Sequence, residues 1–352
     1  MSSHDSRGRS IVVTENGWSV RILDQRWLPW RVEWVELTSA AMAARAIREM
    51  WTRGAPLIGA TAAYGLCLAL REDPSDASLG RALTLLLDTR PTAVNLRWAL
   101  ERVRASVQSV AGEARVAAAY QCAATICDED ERSNHAIGGY GLHLIRAAAE
   151  HGRPVNILTH CNAGALATVA YGTALAPIYR AHEIGIPVHV WVDETRPRNQ
   201  GALLTAYELS RAGIAHTVIT DNAGGLLMQR GEVHLCLVGA DRVSRNGDVC
   251  NKIGTYLKAL AAKDNGVPFY VAVPFSTFDR SLTSGSDIPI ERRNPEEVTT
   301  IGGPTATGSF ETVMLTRSPA ANLAFDITPA RLVTAYVTDR GVIRDFSSVM
   351  TE

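Results

Sequence analysis

The second half of the sequence alternates short β-branched runs with helical stretches, and this alternation constrains the fold more than any other feature. The runs are VNILTH, PVHVWVDE, AHTVITD, VHLCLVGAD and PFYVAVP, all beyond residue 154. Helical patterns lie between them, at 164–182, 200–212, 222–230 and 251–263. Strands separated by helices favour a parallel sheet that is covered on both faces. We therefore predict an α/β fold with a Rossmann-like parallel-sheet C-terminal domain over residues 151–352.

The first half of the chain has a different texture. Residues 11–36 alternate apolar and polar positions, and Asn16-Gly17 separates two strand-like runs, which predicts a β-hairpin. From Ser39 onward apolar residues recur at helical spacing. These patterns predict a smaller N-terminal strand-and-helical domain over residues 1–150. Its predicted helices cover 57–71, 77–88, 93–110, 113–129 and 134–150.

Composition excludes several classes of function. The 352 residues are 46% hydrophobic and 20% charged, with a net charge of −1, so a large core is expected and a basic surface for nucleic acid is not. No apolar run approaches the ~18 residues that span a bilayer, and the N-terminus has no apolar leader. The six cysteines form no CxxC pair. We expect a cytoplasmic protein with free thiols and without nucleic-acid or membrane partners.

Polar residues follow several of the predicted strands, where ligands bind in open α/β sheets. Cys161 follows the run in ILTHCNAGALAT (157–168), and Asp241 follows VHLCLVGA. At the entrance of a helix the dipole would favour the Cys161 thiolate, and Asp241 across the switch point would complete an acid–base pair. The alternatives are an inert core thiol and a carboxylate that caps a turn. His160 is predicted to be structural, since neighbouring side chains of an extended segment point to opposite sides.

Other stretches suggest an anion site. Arg53 lies in RGAP, where a helix is predicted to begin, and Arg90 precedes Pro91 at another predicted start. Gln200 is predicted to open a helix, as are Asn251 and Lys252. Taken singly, each reads equally well or better as a solvated arginine or a capped loop. The His, Asp and Glu residues show no metal-ligand spacing, and no GxGxxG supports a dinucleotide.

Taken together, these stretches resemble the S-methyl-5-thioribose-1-phosphate isomerase family, part of a superfamily with initiation-factor-two-B regulatory subunits and ribose-1,5-bisphosphate isomerase. The resemblance runs over nearly the whole chain. Leu57 and Leu203 depart from its usual pattern. The matching stretches are RGAPLIGATAAYG (53–65), TRPTAVNLRWA (89–99), EDERSNHAIGGYG (129–141), THCNAGALAT (159–168), VDETRPRNQGALLTAYEL (192–209), VGADRVSRNGDVCNKIGTY (238–256), PFSTFD (274–279) and NLAFDITPARLVTAYVTDRGVI (322–343).

The resemblance implies roles for individual residues. Cys161 and Asp241 match the catalytic pair of the family. The matching substrate-binding residues are Arg53, Gly54, Ala55, Arg90, Gln200, Asn251 and Lys252. The resemblance also implies a homodimer, and an isomerisation that requires no metal and no cofactor.

The implied reaction is an aldose–ketose isomerisation of 5-methylthio-α-D-ribose 1-phosphate in methionine salvage. Asp241 would be the acid and Cys161 its partner, with proton transfer and hydride shift both open. 5-Deoxyribose 1-phosphate would fit the same pocket. The alternatives are a ribose-1,5-bisphosphate isomerase, a non-catalytic initiation-factor-like subunit and a redox sensor built on Cys161.

Overall fold

The structure is a computed structural model that describes residues 8–90, 94–110, 112–150 and 152–345. It begins with a three-stranded antiparallel sheet of β1 (Ile11–Val13), β2 (Val20–Leu23) and β3 (Trp34–Leu37). The turn between β1 and β2 contains Gly17 at φ +79°, and the Asn16 side chain accepts two backbone N–H groups there. The predicted hairpin is confirmed.

Five helices follow, and α2 is buried along most of its length because small and apolar residues occupy nearly every position. Sequence analysis predicted two helices where α5 runs without a break. That prediction was wrong because residues 130–133 contain neither Gly nor Pro, so nothing there stops a helix. The helices are α1 (Ala40–Arg48), α2 (Ala55–Glu72), α3 (Asp76–Leu87), α4 (Val94–Val107) and α5 (Gly112–Ala147).

Strands and helices alternate beyond residue 154, as predicted. The strands are β4 (Val155–Thr159), β5 (Val188–Asp193), β6 (Ala215–Ile219), β7 (Leu235–Val238), β8 (Arg242–Ser244), β9 (Val249–Lys252), β10 (Phe269–Ala272), β11 (Phe278–Asp279), β12 (Thr300–Pro304), β13 (Phe310–Met314), β14 (Phe325–Thr328), β15 (Ala335–Thr338) and β16 (Gly341–Ile343). The helices are α6 (Leu175–Glu183), α7 (Ala206–Arg211), α8 (Gly224–Gln229), α9 (Thr255–Asp264) and α10 (Glu296–Thr299), with a π-helical turn at Gly201–Thr205 before α7.

The main sheet has the order β16-β15-β10-β7-β4-β5-β6, and every pairing except β15 with β16 is parallel. The chain starts at β4, moves outward through β5 and β6, and then returns to the other side of β4 with β7. The order of the strands therefore reverses between β4 and β7. Ligands bind at such a switch point, beyond the carboxyl ends of the strands.

A second sheet has the order β11-β8-β9-β14, and it overturns one predicted helix start. Val249–Lys252 pair antiparallel with Phe325–Thr328, so Asn251 and Lys252 end a strand and α9 begins only at Thr255. The predicted helix at 164–182 is also too long, because α6 starts at Leu175 and a loop with Tyr171 at φ +70° precedes it.

Two cores meet along α5. Ala119, Ala123 and Ile126 of this helix pack in the core of the N-terminal helices, whereas Ile137 and Ile145 pack in the core of the main sheet. The domain boundary at residue 150 stays a prediction, since one helix serves both cores. In the described parts of the chain, no helix combines the length and the hydropathy needed to cross a membrane.

Candidate active site

A cavity of about 130 Å³ lies at the switch point, beyond the carboxyl ends of β4 and β7, and residues before α2 and α4 close it from the N-terminal side. The residues singled out from sequence are far apart in the chain, and the fold brings all nine to the walls of this one cavity. They are Arg53, Gly54, Ala55, Arg90, Cys161, Gln200, Asp241, Asn251 and Lys252.

Cys161 is held by its backbone in the left-handed region, at φ +66°, which non-glycine residues rarely adopt. Its N–H donates to Thr195 Oγ1 over 2.9 Å, and its carbonyl accepts from Thr205 Oγ1 over 2.7 Å. Its Sγ lies 3.4 Å from Gln200 Oε1. These three contacts fix the direction of the thiol into the cavity.

The expectation that a helix dipole activates this thiol was wrong. Only a single 3-10 turn, Ala165–Ala167, follows Cys161, and the next helix begins at Leu175. Burial raises the pKa of the Cys161 thiol, and the positive charges of Arg53 and Lys252 oppose that rise. The thiol is therefore a proton-holding group at neutral pH and not a preformed thiolate.

Asp241 follows β7 and leads into β8, and its N–H donates to Cys250 O over 2.9 Å. Burial raises the pKa of its carboxyl group. The charges of Lys252, Arg90 and Arg53 limit that rise. A buried carboxyl group whose pKa is raised can serve as a general acid.

Arg53 is only 5% exposed, and its guanidinium donates to Asn162 O over 3.0 Å and also to Asn162 Oδ1. Its buried Nε has no hydrogen-bond partner among the described residues. Gly54 follows at φ +85° and caps α2, and a Cβ there would lie 2.2 Å from Ala167 O. A glycine is thus required for the backbone to pass, and the free N–H groups at the start of α2 stand at the cavity wall with Ala55.

Lys252 and Asn251 reach the cavity from the end of β9. Lys252 Nζ donates to Ala324 O over 3.0 Å and lies 4.6 Å from the centre of the Phe325 ring. Burial lowers the pKa of Lys252, and the nearby Cys161 and Asp241 oppose this. The placement of these residues at a helix start was wrong, but the cation still faces the cavity.

Arg90 lies immediately before residues 91–93. The helix start predicted at Pro91 falls on these residues, which lie outside the described part of the chain. Arg90 Nη2 forms an ion pair with Glu291 Oε2 at 2.9 Å, and its buried Nε has no partner among the described residues. Arg90 therefore has one fixed partner and one free donor.

Sequence analysis missed three further arginines in the cavity wall, of which Arg242 pairs with Asp279 at 3.5 Å. Arg198 and Arg293 each pair with Glu297 Oε1, at 2.8 and 2.9 Å. Burial alone would raise the pKa of Glu297, but the bond from Arg293 and both positive charges bring it to about 2. The RPRNQG motif carried the signal for Arg198, since it contains Gln200. Arg293 has no local signal.

Sequence analysis also missed a buried carboxyl group, which holds Asn162 and the loop that follows it. Glu208 is 3% exposed and accepts hydrogen bonds from Asn162 Nδ2 and Ala165 N, both over 2.7 Å. It also accepts from Leu166 N and Tyr179 OH. Since Asn162 also holds Arg53, this network connects the cation at the cavity wall to α7.

One group of side chains has the spacing of metal ligands. A ring nitrogen of His160 and carboxylate oxygens of Asp193 and Asp221 lie within 4.8 Å of one another. However, Lys258 Nζ lies 3.1 Å from Asp193 Oδ2 and donates to the Asp221 carbonyl oxygen. The Lys258 ammonium group therefore provides, beside these carboxyl groups, the positive charge that a metal ion would provide.

Part of the remaining wall of the cavity is apolar, and polar groups such as Asn162 and Thr173 interrupt it. Among the described residues, no carboxylate lies within the 4 Å of an ion pair from Arg53 or from Lys252, whereas Arg90, Arg198 and Arg293 are all paired. The apolar lining includes Met50, Ile58, Val94, Ile288, Pro289 and Phe325. The cavity suits a ligand with one anionic group and one apolar end.

Comparison with known proteins agrees with this geometry. The family described as "Initiation factor 2 subunit family" matches residues 51–345. A protein from Acidiphilium cryptum, named methylthioribose-1-phosphate isomerase, is 60% identical over 338 residues, which cover 95% of this chain and 92% of the relative.

Two solved structures share the whole fold. The 5-methylthioribose 1-phosphate isomerase from Pyrococcus horikoshii superposes with a TM-score of 0.84 at 38% identity, covering 100% of this chain and 97% of the other. A protein described as translation initiation factor eIF-2B, subunit delta, from A. fulgidus gives 0.81 at 38% identity, covering 97% of each chain. The predicted α/β fold with its parallel sheet is thereby confirmed.

Proposed function

The chain belongs to the initiation factor 2 subunit family, and we propose that it is an aldose–ketose isomerase of methionine salvage. Its substrate is 5-methylthio-α-D-ribose 1-phosphate and its product 5-methylthio-D-ribulose 1-phosphate. The full-length similarity to the Acidiphilium cryptum isomerase carries this proposal. The family match at 51–345 spans every residue assigned a role below.

The substrate sets the chemical problem. Its C1 hydroxyl is esterified with phosphate, so the ring cannot open to a free aldehyde as ordinary aldoses do. The enzyme must protonate the ring oxygen, open the ring with the phosphate still on C1, and move the hydrogen of C2 to C1. A proton donor, a second group at C2 and a clamp for the phosphate are therefore needed.

Asp241 is the acid in this proposal and Cys161 its partner. Burial raises the pKa of the Asp241 carboxyl group and so favours its protonated form, and that proton passes to the ring oxygen as the ring opens. Cys161 stands at C2. In one route the thiol first loses its proton to solvent, and the thiolate takes the C2 hydrogen as a proton and returns it to C1 through an enolate; in the other the thiol lines a dry path for a direct hydride shift from C2 to C1. In both routes C2 becomes the ketone carbonyl, and the proton of its hydroxyl group returns to Asp241. Both routes conserve the substrate atoms and require no cofactor.

Arg53, the start of α2 at Gly54-Ala55 and Lys252 would bind the phosphate. Both cations lack a carboxylate partner among the described residues, so a dianion can engage them without displacing an ion pair. Arg90, Gln200 and Asn251 would bind the sugar hydroxyls, which the amide groups and the free Arg90 Nε suit.

Other functions fit less well. A bisphosphate needs a second set of free cations, and the cavity offers paired arginines and an apolar wall in its place. 5-Deoxyribose 1-phosphate would be accepted, because an apolar pocket discriminates weakly between a methyl and a methylthio group. A regulatory subunit would be expected to lack the thiol and carboxyl pair.

We also propose that the enzyme works in the cytoplasm as a homodimer. The basis is the family resemblance, together with the six free cysteines, which suit a reducing compartment. Sedimentation of the purified protein tests the dimer, which predicts twice the mass of one chain, and a single-chain mass would contradict it.

The substrate is tested by incubating the wild-type protein separately with 5-methylthioribose 1-phosphate and ribose 1,5-bisphosphate, and by following each with phosphorus and carbon NMR. We expect a ketose that retains its C1 phosphate from the first compound only. Turnover of the bisphosphate alone would contradict the proposal and favour a ribose-1,5-bisphosphate isomerase.

A further inference from the structure

We infer that His160 is a positioning residue that carries a proton on both ring nitrogens and ties the Cys161 loop to the end of β9. The inference rests on the proposed function for its kinetic consequence, but not for the protonation itself. The His160 side chain is completely buried. Its Nδ1 lies 2.8 Å from Asp193 Oδ2, and its Nε2 lies 2.8 Å from Ile253 O.

Both ring nitrogens face acceptors. A backbone carbonyl cannot donate, so Nε2 must carry the hydrogen that it shares with Ile253. Asp193 Oδ2 also lies 3.1 Å from Lys258 Nζ, which holds that carboxyl group in its ionised, accepting form. Nδ1 must then donate as well. A neutral imidazole has only one N–H, whereas the imidazolium satisfies both bonds.

The surrounding charges favour the same form. Asp193 and Asp326 are the buried or largely buried carboxyls around the ring, and Lys258 is a buried cation. Asp221 closes the cluster, with its carboxylate accepting the N–H groups of Thr195 and Arg196. Asp193 and Asp221 thus lie together beside one fixed cation, while burial raises the pKa of Asp326, and a charged His160 brings the balance of this cluster closer to neutral.

The His160 ring connects the two chain segments that carry Cys161 and Lys252. Along the chain His160 is the neighbour of Cys161, and through space it bonds the carbonyl of Ile253, the neighbour of Lys252. Gly254 packs against the ring, and a Cβ there would lie 3.0 Å from His160 Cε1. With Gly254 at φ +103°, the backbone passes close over the imidazole. Movement of the ring therefore shifts the thiol and the ammonium together.

The protonation is tested on the wild-type protein by nitrogen-15 NMR of labelled histidine, recorded from about pH 6 to about pH 8. We expect one of the nine imidazoles to keep both N–H signals over this range. Asp193→Asn should abolish that state and assign it to His160. Nine rings that all lose a proton over this range would overturn the inference, as would stoichiometric metal whose removal restores a second N–H.

The tie to β9 is tested with two substitutions that each keep one donor. The amide of His160→Gln reaches the position of Nε2 and can still donate to Ile253 O, whereas that of His160→Asn reaches only Asp193. We expect kcat to fall roughly 100-fold in the asparagine variant and to recover at least tenfold in the glutamine variant. His143→Asn, at an exposed position of α5, is the control and should match the wild type.

Equal losses in the two variants would show that the bond to Ile253 does not transmit the effect, and would overturn the positioning role. If neither variant folds, the NMR measurement on the wild type still decides the protonation. If the wild type fails to turn over the substrate, only the proposed function is lost, since the nitrogen signals are independent of activity.

Discussion

Burial and neighbouring positive charges have opposite effects on the pKa of each reactive side chain. Burial raises the pKa of both Cys161 and Asp241, and the same neighbours, Arg53 and Lys252, counteract it. The lysine is affected in return, since burial lowers its pKa. The cations proposed to bind the substrate therefore also lower the pKa values of Cys161 and Asp241. Binding of a phosphate would neutralise those cations and so raise the pKa of Asp241 further.

Lys252→Met should move the alkaline limb of the kcat profile to higher pH. Asp241 acts in its protonated form, so the rate falls as pH rises through its pKa. Lys252 is the strongest charge that opposes the rise, so its removal raises the pKa of Asp241 further. The profile of kcat against pH measures this shift, although overall activity will be low. Lys263→Met, on the exposed side of α9, is the control. An unchanged or more acidic limb would contradict the electrostatic account.

Glu208→Gln should lower the free energy of unfolding by about 2–4 kcal/mol and raise KM. Each carboxylate oxygen of Glu208 accepts two hydrogen bonds, so an amide NH₂ in either position faces a donor. Denaturant unfolding and steady-state kinetics measure the two effects. Glu101→Gln, on the exposed face of α4, should be neutral in both. A stable variant with an unchanged KM would show that the network does not position Arg53.

Sequence reasoning found the reactive residues because Cys161 and Asp241 directly follow strands, where the topology concentrates ligands. It missed Glu208, whose hydrogen-bond partners are distant along the chain, and Arg293, which pairs with its sequence neighbours Glu291 and Glu297 but reaches the cavity only through the fold. Glu208 was read as one position of a helix and its burial depends on the loop at 162–166. No local pattern reports contacts of that kind.

At the scale of elements, two of the wrong predictions share one cause. Asn251 and Lys252 were assigned to a helix, but they pair with Phe325–Thr328, more than 70 residues away in sequence. The loop at 164–174 was assigned to a helix because it is rich in Ala. Its backbone instead donates a hydrogen bond from Ala165 N to Glu208 and packs against Gly54 at Ala167. Tertiary contacts overrode local propensity in both cases.

Gly54→Ala should destabilise the protein far more than Gly17→Ala. Both glycines have φ near +80°, so both substitutions carry a backbone penalty of about 1 kcal/mol. Only at Gly54 does the new Cβ meet another backbone, 2.2 Å from Ala167 O, whereas nothing lies within 4 Å at Gly17. We expect the Gly54 variant to lose more than about 3 kcal/mol in denaturant unfolding. Equal losses would contradict the close approach of α2 to the Cys161 loop.

At the scale of the whole molecule, α5 joins the N-terminal helices to the sheet, and its polar residues bond across that junction. Asp130 Oδ2 accepts from Val169 N over 2.8 Å, and Asn134 Nδ2 donates to Ala170 O over 2.9 Å. Burial raises the pKa of Asp130 to about 7, and its hydrogen bonds oppose the rise. The junction therefore contains a carboxyl group that titrates near neutral pH.

Asp130→Asn should change how stability depends on pH. The folded-state pKa lies above the unfolded value, so the contribution of this group is complete below about pH 4 and is lost as pH rises through about 7. An asparagine side-chain oxygen can accept the bonds that Val169 N and Asn134 Nδ2 donate to Asp130, without a charge. We expect the unfolding free energy of the variant, relative to the wild type, to rise by about 2–3 kcal/mol between pH 5 and pH 8.5. Asp264→Asn, an exposed control, should show no such divergence, and a constant difference across pH would contradict the account.

The central claim is that Cys161 and Asp241 act as a pair on a sugar 1-phosphate, and turnover by Cys161→Ser and Asp241→Asn tests it most directly. Both variants keep the size of the side chain, and thermal melting verifies that each is folded. Phosphorus NMR with 5-methylthioribose 1-phosphate should detect ketose 1-phosphate from the wild type and a rate at least about 10²-fold lower from each variant. A folded variant at either position that keeps the wild-type rate would contradict the claim.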